Sequence, residues 1–188
     1  MRIHFGRTTY ALAAIGILLS TSALAQTAGQ KANEVGEKTG VNSVVGITPT
    51  ATTFVTDAAM SDLFEIKSSQ LAEKKADPAT QKFAAQMVKD HEKTSAELKT
   101  LLKTTAPAFV TPITLDQSHQ DKLDKLASLS GADFSKQYHD DQLSAHKDAV
   151  SMFERYAKDG DDPALKAWAG KTLPDLKKHL SMAESLDK

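Results

Sequence analysis

From Phe54 onward, apolar residues recur at intervals of three and four, the period of helices that bury one face. The first such stripe runs over 54–75 and carries Phe54, Val55, Ala58, Ala59, Leu63, Ile66 and Ala72. Asp77-Pro78 ends it, because the proline ring disfavours helix at the preceding residue. Pro78 is itself suited to the first turn of the next helix, which is predicted to reach residue 105 with Phe83, Ala84, Met87, Val88, Leu98, Leu101 and Leu102 inward. Pro107 and Pro112 bracket an extended crossing segment, and a short, mostly polar helix over 116–130 stops at Gly131. A long helix over 132–158, ending at Gly160, carries Phe134, Leu143, Val150 and Phe153. Asp162-Pro163 caps the last helix, whose stripe is Leu165, Trp168, Leu173, Leu176, Leu180 and Ala183. No strand alternation interrupts this pattern. The predicted fold class is therefore all-α. Two helical hairpins joined by a long crossing connection, which holds the extra short helix, make a ferritin-like four-helix bundle.

The region before the bundle is patterned differently. Arg2 and Arg7 precede an apolar run from Tyr10 to Leu19, and Ala23-Leu24-Ala25 places small residues where a signal peptidase reads them. The run is about ten residues long, half of the roughly 20 that a bilayer span needs. Residues 1–25 thus read as a cleaved signal peptide, with cleavage near Ala25-Gln26 and a periplasmic or secreted product. Residues 26–53, rich in Gly, Thr, Asn and Gln, follow neither period and read as a disordered leader ahead of the 54–188 bundle.

Composition narrows the chemistry. The chain of 188 residues is long enough for one compact domain. It has no Cys, which removes disulfides, zinc ribbons, iron–sulfur clusters and a cysteine nucleophile together. Its 23 Lys+Arg balance 24 Asp+Glu, so the basic face that nucleic acid binding needs is not expected. No integral membrane span is expected once the signal is removed, and an envelope protein is the kind of partner export suggests. The oligomeric state is not legible.

Four polar residues fall on the apolar stripes. His91 lies seven, four and three residues after Ala84, Met87 and Val88. His146 stands between Leu143 and Val150, and His179 between Leu176 and Ala183. Glu65 is seven residues from both Ala58 and Ala72, on a seam of small side chains. Each long helix thus contributes one metal-capable group. Three imidazoles and a carboxylate satisfy four-coordinate zinc, or a copper, manganese or iron site with room for water. The competing reading is a metal-free polar network that fixes helix register. His139, about 10 Å along the helix from His146, reads as a surface or end-of-bundle residue. Asp175 reads as a cap with Thr172 where Pro174 interrupts the helix, or as a hydrogen-bond partner of His179. Asp90 points about 100° away from His91 and reads as solvated. His119 carries no signal, and Tyr138 and Trp168 read as packing.

Met87-Val88-Lys89-Asp90-His91, Tyr138 ahead of His146, and Leu173-Pro174-Asp175-Leu176-Lys177-Lys178-His179-Leu180 resemble the bacterial domain-of-unknown-function family 4142, DUF4142. The resemblance extends over about 54–186, with an Ala-rich first helix carrying Glu65. It implies an exported protein with a ferritin-like helical fold and brings no established activity. Members often carry an outer-membrane label, which this sequence does not support, having neither barrel strands nor an apolar span. Di-iron ferritin-like proteins place Glu three residues before His. Here Val88 and Leu176 occupy those positions, which argues for a mononuclear site or none. The reading that follows is an exported helical-bundle protein, non-enzymatic, with one transition-metal ion among Glu65, His91, His146 and His179. A metal-dependent oxidoreductase and a metal-free envelope module are the alternatives.

Overall fold

The structure is a computed structural model, and it describes residues 46–105 and 109–186. The expected signal peptide, most of the leader and Pro107 lie outside the described residues. Those residues form five helices and no strand: α1 Ala51–Lys75, α2 Pro78–Thr105, α3 Gln117–Ser128, α4 Gly131–Asp159 and α5 Pro163–Leu186. The chain is all-α, as its periodicity predicts.

Local chemistry sets the helix ends. Asp77 Oδ1 accepts hydrogen bonds from the backbone N–H of Ala79 at 3.0 Å and Thr80 at 3.1 Å. Asp162 Oδ1 accepts from Ala164 and Leu165, both at 2.9 Å. Each Asp satisfies donors that the first helical turn leaves free, and the proline beside it has no N–H to satisfy. These bonds, led by the Thr80 hydroxyl, hold the Asp77 carboxyl down to about 2. Helix α1 starts three residues before the expected boundary, because Thr50 caps it by accepting from Thr53 N–H at 3.3 Å. Gly131 opens α4 instead of ending the short helix. Its φ of +57° is the left-handed conformation that glycine adopts without a Cβ penalty.

Helix α1 packs on α2 and α4, and α5 packs on α2 and α4, so the four long helices close a ring. Lys75 Nζ, at the end of α1, donates to the carbonyls of Ala127 and Leu129 just before α4 begins. Helices α2 and α4 therefore start at the same end, and the connection carrying α3 returns the chain along the ring. Leu126 of α3 is fully buried, and this is what pins the connection down.

The core is divided in two. One apolar cluster gathers Phe54, Leu98, Phe153, Tyr156, Leu165 and Trp168. The other gathers Phe83, Met87, Leu126, Phe134, Tyr138 and Ala183. Along every long helix, the stretch between its contributions to the two clusters carries buried polar side chains: Asp62, Glu65 and Ser68, then His91, then Gln142 and His146, then His179. A polar layer thus crosses the bundle between two apolar halves. Small corrections follow from this geometry. On α1, Phe64 is buried in place of Leu63 and Ile66, and on α4 Gln142 is buried where Leu143 was expected.

Gly160 closes α4 with ordinary φ, but no space surrounds it. A Cβ there would sit 2.6 Å from the Tyr156 carbonyl oxygen and 2.7 Å from its ring. That ring stacks on Phe54 in the core. Gly160→Ala is expected to cost about 1–3 kcal/mol, measured by urea unfolding. Wild-type stability in the variant would refute the close approach.

Candidate metal centre

Helical spacing delivers the three histidines to one place. His91, His146 and His179 are 3%, 1% and 3% exposed. Each offers one nitrogen, and these nitrogens all lie within 4.8 Å of one another. The ring centroids stand 5.4 to 5.7 Å apart.

Each imidazole has one nitrogen tied down and one left over. His91 Nδ1 donates to Asp62 Oδ1 at 2.7 Å, and Asp62 Oδ2 accepts from Ser95 Oγ at 3.0 Å. His179 Nε2 donates to Asp90 Oδ2 at 2.9 Å. His146 Nδ1 lies 2.9 Å from the Gln142 carbonyl oxygen, which can only accept, so this nitrogen carries the hydrogen. The opposite nitrogens, His91 Nε2, His146 Nε2 and His179 Nδ1, are buried with no hydrogen-bond partner. A neutral imidazole with its donor engaged presents a lone pair at the other nitrogen. Three lone pairs converging out of reach of water repel one another, and a cation satisfies all three at once. Carboxylate and carbonyl acceptors behind each ring are also what fixes ligand orientation in metal sites.

The electrostatics hold two of the three rings neutral, whereas His91 must release a proton before its second nitrogen can bind an ion. Burial pushes His146 down to about 3, helped by the neighbouring charge of His91. His179 is lowered for the same first reason, against the pull of Asp90. His91 is raised: burial works against its charged form, but the Asp62 hydrogen bond and charge outweigh it. Burial also acts on Asp90, yet the hydrogen bonds from Gln86 and His179 leave it below the usual carboxylate range.

Glu65 sits in the same polar layer and is 1% exposed, but it lies outside the group of mutually close ligand atoms. Neither carboxyl oxygen has a hydrogen-bond partner. Burial raises its pKa to about 7, opposed chiefly by the charge of His91.

Several single-residue expectations change. Asp90 is not simply solvated, because the packing of α2 on α5 brings it onto His179. His139 is at the end of the bundle but buried, with Nε2 2.8 Å from Thr80 Oγ1. Helix α5 continues through Pro174, so no cap forms at Thr172, and Asp175 is exposed. Tyr138 is packed in the core with its hydroxyl 2.8 Å from Ser69 Oγ. Tyr138→Phe strands that buried serine and should cost about 1–2 kcal/mol in chemical unfolding; no change would show that Ser69 finds another partner. Trp168 is packing, against Phe54 and Phe153. His119 pairs with Asp116 at 2.8 Å on α3. Asp62 was missed, although it stands seven residues before Ser69 and seven after Val55, on the same inward seam.

The profile of a family described as a domain of unknown function, DUF4142, matches residues 36–186. The chain belongs to this family. Among solved structures, the DUF4142 chain resembles "CopM in the Cu(II)-bound form", with a TM-score of 0.62 and 19% identity. The match covers 74% of the DUF4142 chain and 96% of CopM, and at that identity it speaks for the fold alone. No curated protein matches the chain. Among the described residues, no helix of this DUF4142 protein is long and apolar enough to cross a membrane.

Proposed function

We propose that this protein is an exported, non-enzymatic helical-bundle protein of the cell envelope that binds one transition-metal ion through His91, His146 and His179. Glu65 is a buried carboxyl of the same layer, outside the group of close ligand atoms. The observation carrying the reading is the set of three buried ring nitrogens without partners. Leaving them unsatisfied is costly, and imidazole suits zinc, copper, nickel and iron. The structural neighbour holding copper(II) is in keeping with this. The ferritin-like topology is supported by two hairpins, α1–α2 and α4–α5, joined by a connection that runs back along the bundle. Export is supported by the basic, apolar and small-residue succession of residues 1–25.

Elemental analysis by mass spectrometry tests the reading, on protein prepared from periplasm without chelator or His tag. About one equivalent of a single transition metal is expected from a one-ion site with three ligands. Zero metal, persisting after incubation with zinc, copper, manganese and ferrous iron, would make the layer a register-setting network. Recovery of the chain only in the cytoplasm, with residues 1–25 attached, would refute export.

A further inference from the structure

Three neutral imidazoles bring no charge to an ion, so the charge balance of this buried site falls to the carboxylates behind them. Asp62 stands directly behind His91, its side chain 7% exposed, held by His91 on one oxygen and Ser95 on the other. Asp90 stands behind His179 and is partly open, its side chain 28% exposed. Among the described residues no Lys or Arg pairs with Asp62; its bonds are to the His91 imidazole, which must give up any extra proton to bind an ion, and to a hydroxyl. A bare buried carboxylate is expensive to maintain unless a positive charge is nearby.

We propose that the site selects a divalent over a monovalent ion, and that Asp62 is the residue setting this preference. The inference rests on the metal reading above and names the charge class of its ligand. With a divalent ion, Asp62 and Asp90 bring the layer near neutrality. A monovalent ion such as Cu(I) leaves it one unit more negative, whatever charge Glu65 carries. Ligand chemistry points the same way. The close group holds three histidines and the chain has no Cys, whereas Cu(I) favours thiolate donors.

Asp62→Asn separates charge from position. The amide oxygen still accepts from His91 Nδ1, and the amide nitrogen can donate to Ser95 Oγ, so the ring stays oriented while the charge goes. Coulomb energy is proportional to ion charge, so losing that carboxylate is felt twice as strongly, in logarithmic terms, by a divalent ion. If zinc and Cu(II) weaken by about 100-fold, at the upper end of the effect of removing a ligand's hydrogen-bond partner, Cu(I) should weaken by only about 10-fold. The bound-copper reduction potential should then rise by about 59 mV, the one-electron equivalent of that tenfold difference. The experiment is chelator competition with zinc, with Cu(II), and with Cu(I) under anaerobic reduction, on wild type and Asp62→Asn. Asp90→Asn is the second variant should the first not fold; it should shift affinities in the same order but less, because water screens it. Equal fold-losses for Cu(I) and Cu(II), or wild type that binds Cu(I) more tightly, overturn this inference and leave the metal site standing. Wild type that binds no ion overturns both.

Discussion

His146→Phe is expected to abolish most metal affinity while leaving the metal-free bundle as stable as wild type at neutral pH. The substitution is unusually clean. Removing His91 or His179 also takes a hydrogen bond from the carboxylate of Asp62 or Asp90. His146 Nδ1, by contrast, bonds only the Gln142 carbonyl, which already accepts the backbone N–H of residue 146 within α4. Phenylalanine keeps a planar ring in the layer and removes one of the three lone pairs. An ion present at 100 times its Kd stabilises wild type by about 2.7 kcal/mol, a Tm rise of about 5–10 °C for a chain of this size. If the lost ligand weakens binding by about 100-fold or more, the same ion concentration gives about 0.4 kcal/mol, a rise of about 1 °C.

The same variant has a pH signature. The folded protein holds His146 neutral down to about pH 3, against an ordinary 6.5. Between those values the unfolded chain takes up a proton that the folded one refuses, so wild type loses stability as pH falls from 6.5 towards 3. Phenylalanine has nothing to protonate. The variant's acid-unfolding midpoint should therefore move down, read by circular dichroism without metal. A full metal-dependent Tm shift in His146→Phe would remove this histidine from the site, and an unchanged acid midpoint would place its ring in contact with water.

The histidines were legible because each sits a heptad or less from apolar residues on a long helix, and Asp-Pro pairs mark where α2 and α5 begin. Spacing of 3.6 residues per turn then places them inward with little freedom. Their partners were harder to see. An Asp on an amphipathic helix ordinarily faces water; only heptad spacing from Val55 and Ser69 marks Asp62, and nothing local distinguishes Asp90 from Asp121 or Asp124. What turns them inward is the packing of α1 on α2 and of α2 on α5, which is a property of the tertiary structure and not of any one helix. The same cause separates Glu65 from the histidine group. It shares their layer, but a helical projection gives direction without reach. Pro174 misled for a different reason: its missing N–H is tolerated because α5 is packed along its length and exposes that turn, where the proline is itself solvent-facing. Gly131 read as a stop because glycine ends helices more often than it starts them, yet its left-handed φ here turns the chain from the crossing connection into α4.

Glu65→Gln should make the metal-free protein more stable at pH 8, with the gap closing as pH falls to 5. The carboxyl is fully buried, and its pKa is raised from 4.5 to about 7 chiefly by that burial. Between these values the folded state keeps a proton that the unfolded state releases, so wild type loses stability as pH rises through the window. The full loss, about 3 kcal/mol, is reached above the folded pKa. Glutamine is isosteric and never ionises, so the variant escapes it. His91 is also raised, and its share of stability likewise falls as pH rises, but glutamine at position 65 leaves most of that share in place because Asp62 is its main cause. Urea unfolding at pH 5, 6, 7 and 8 with chelator present gives the two curves, and superimposable curves would mean that Glu65 is wet. Repeating the titration with metal separates two roles for this residue. Retained affinity in Glu65→Gln leaves the three histidines as the protein's ligands. A loss as large as that of His146→Phe would mean that the carboxylate joins the coordination sphere when the ion arrives.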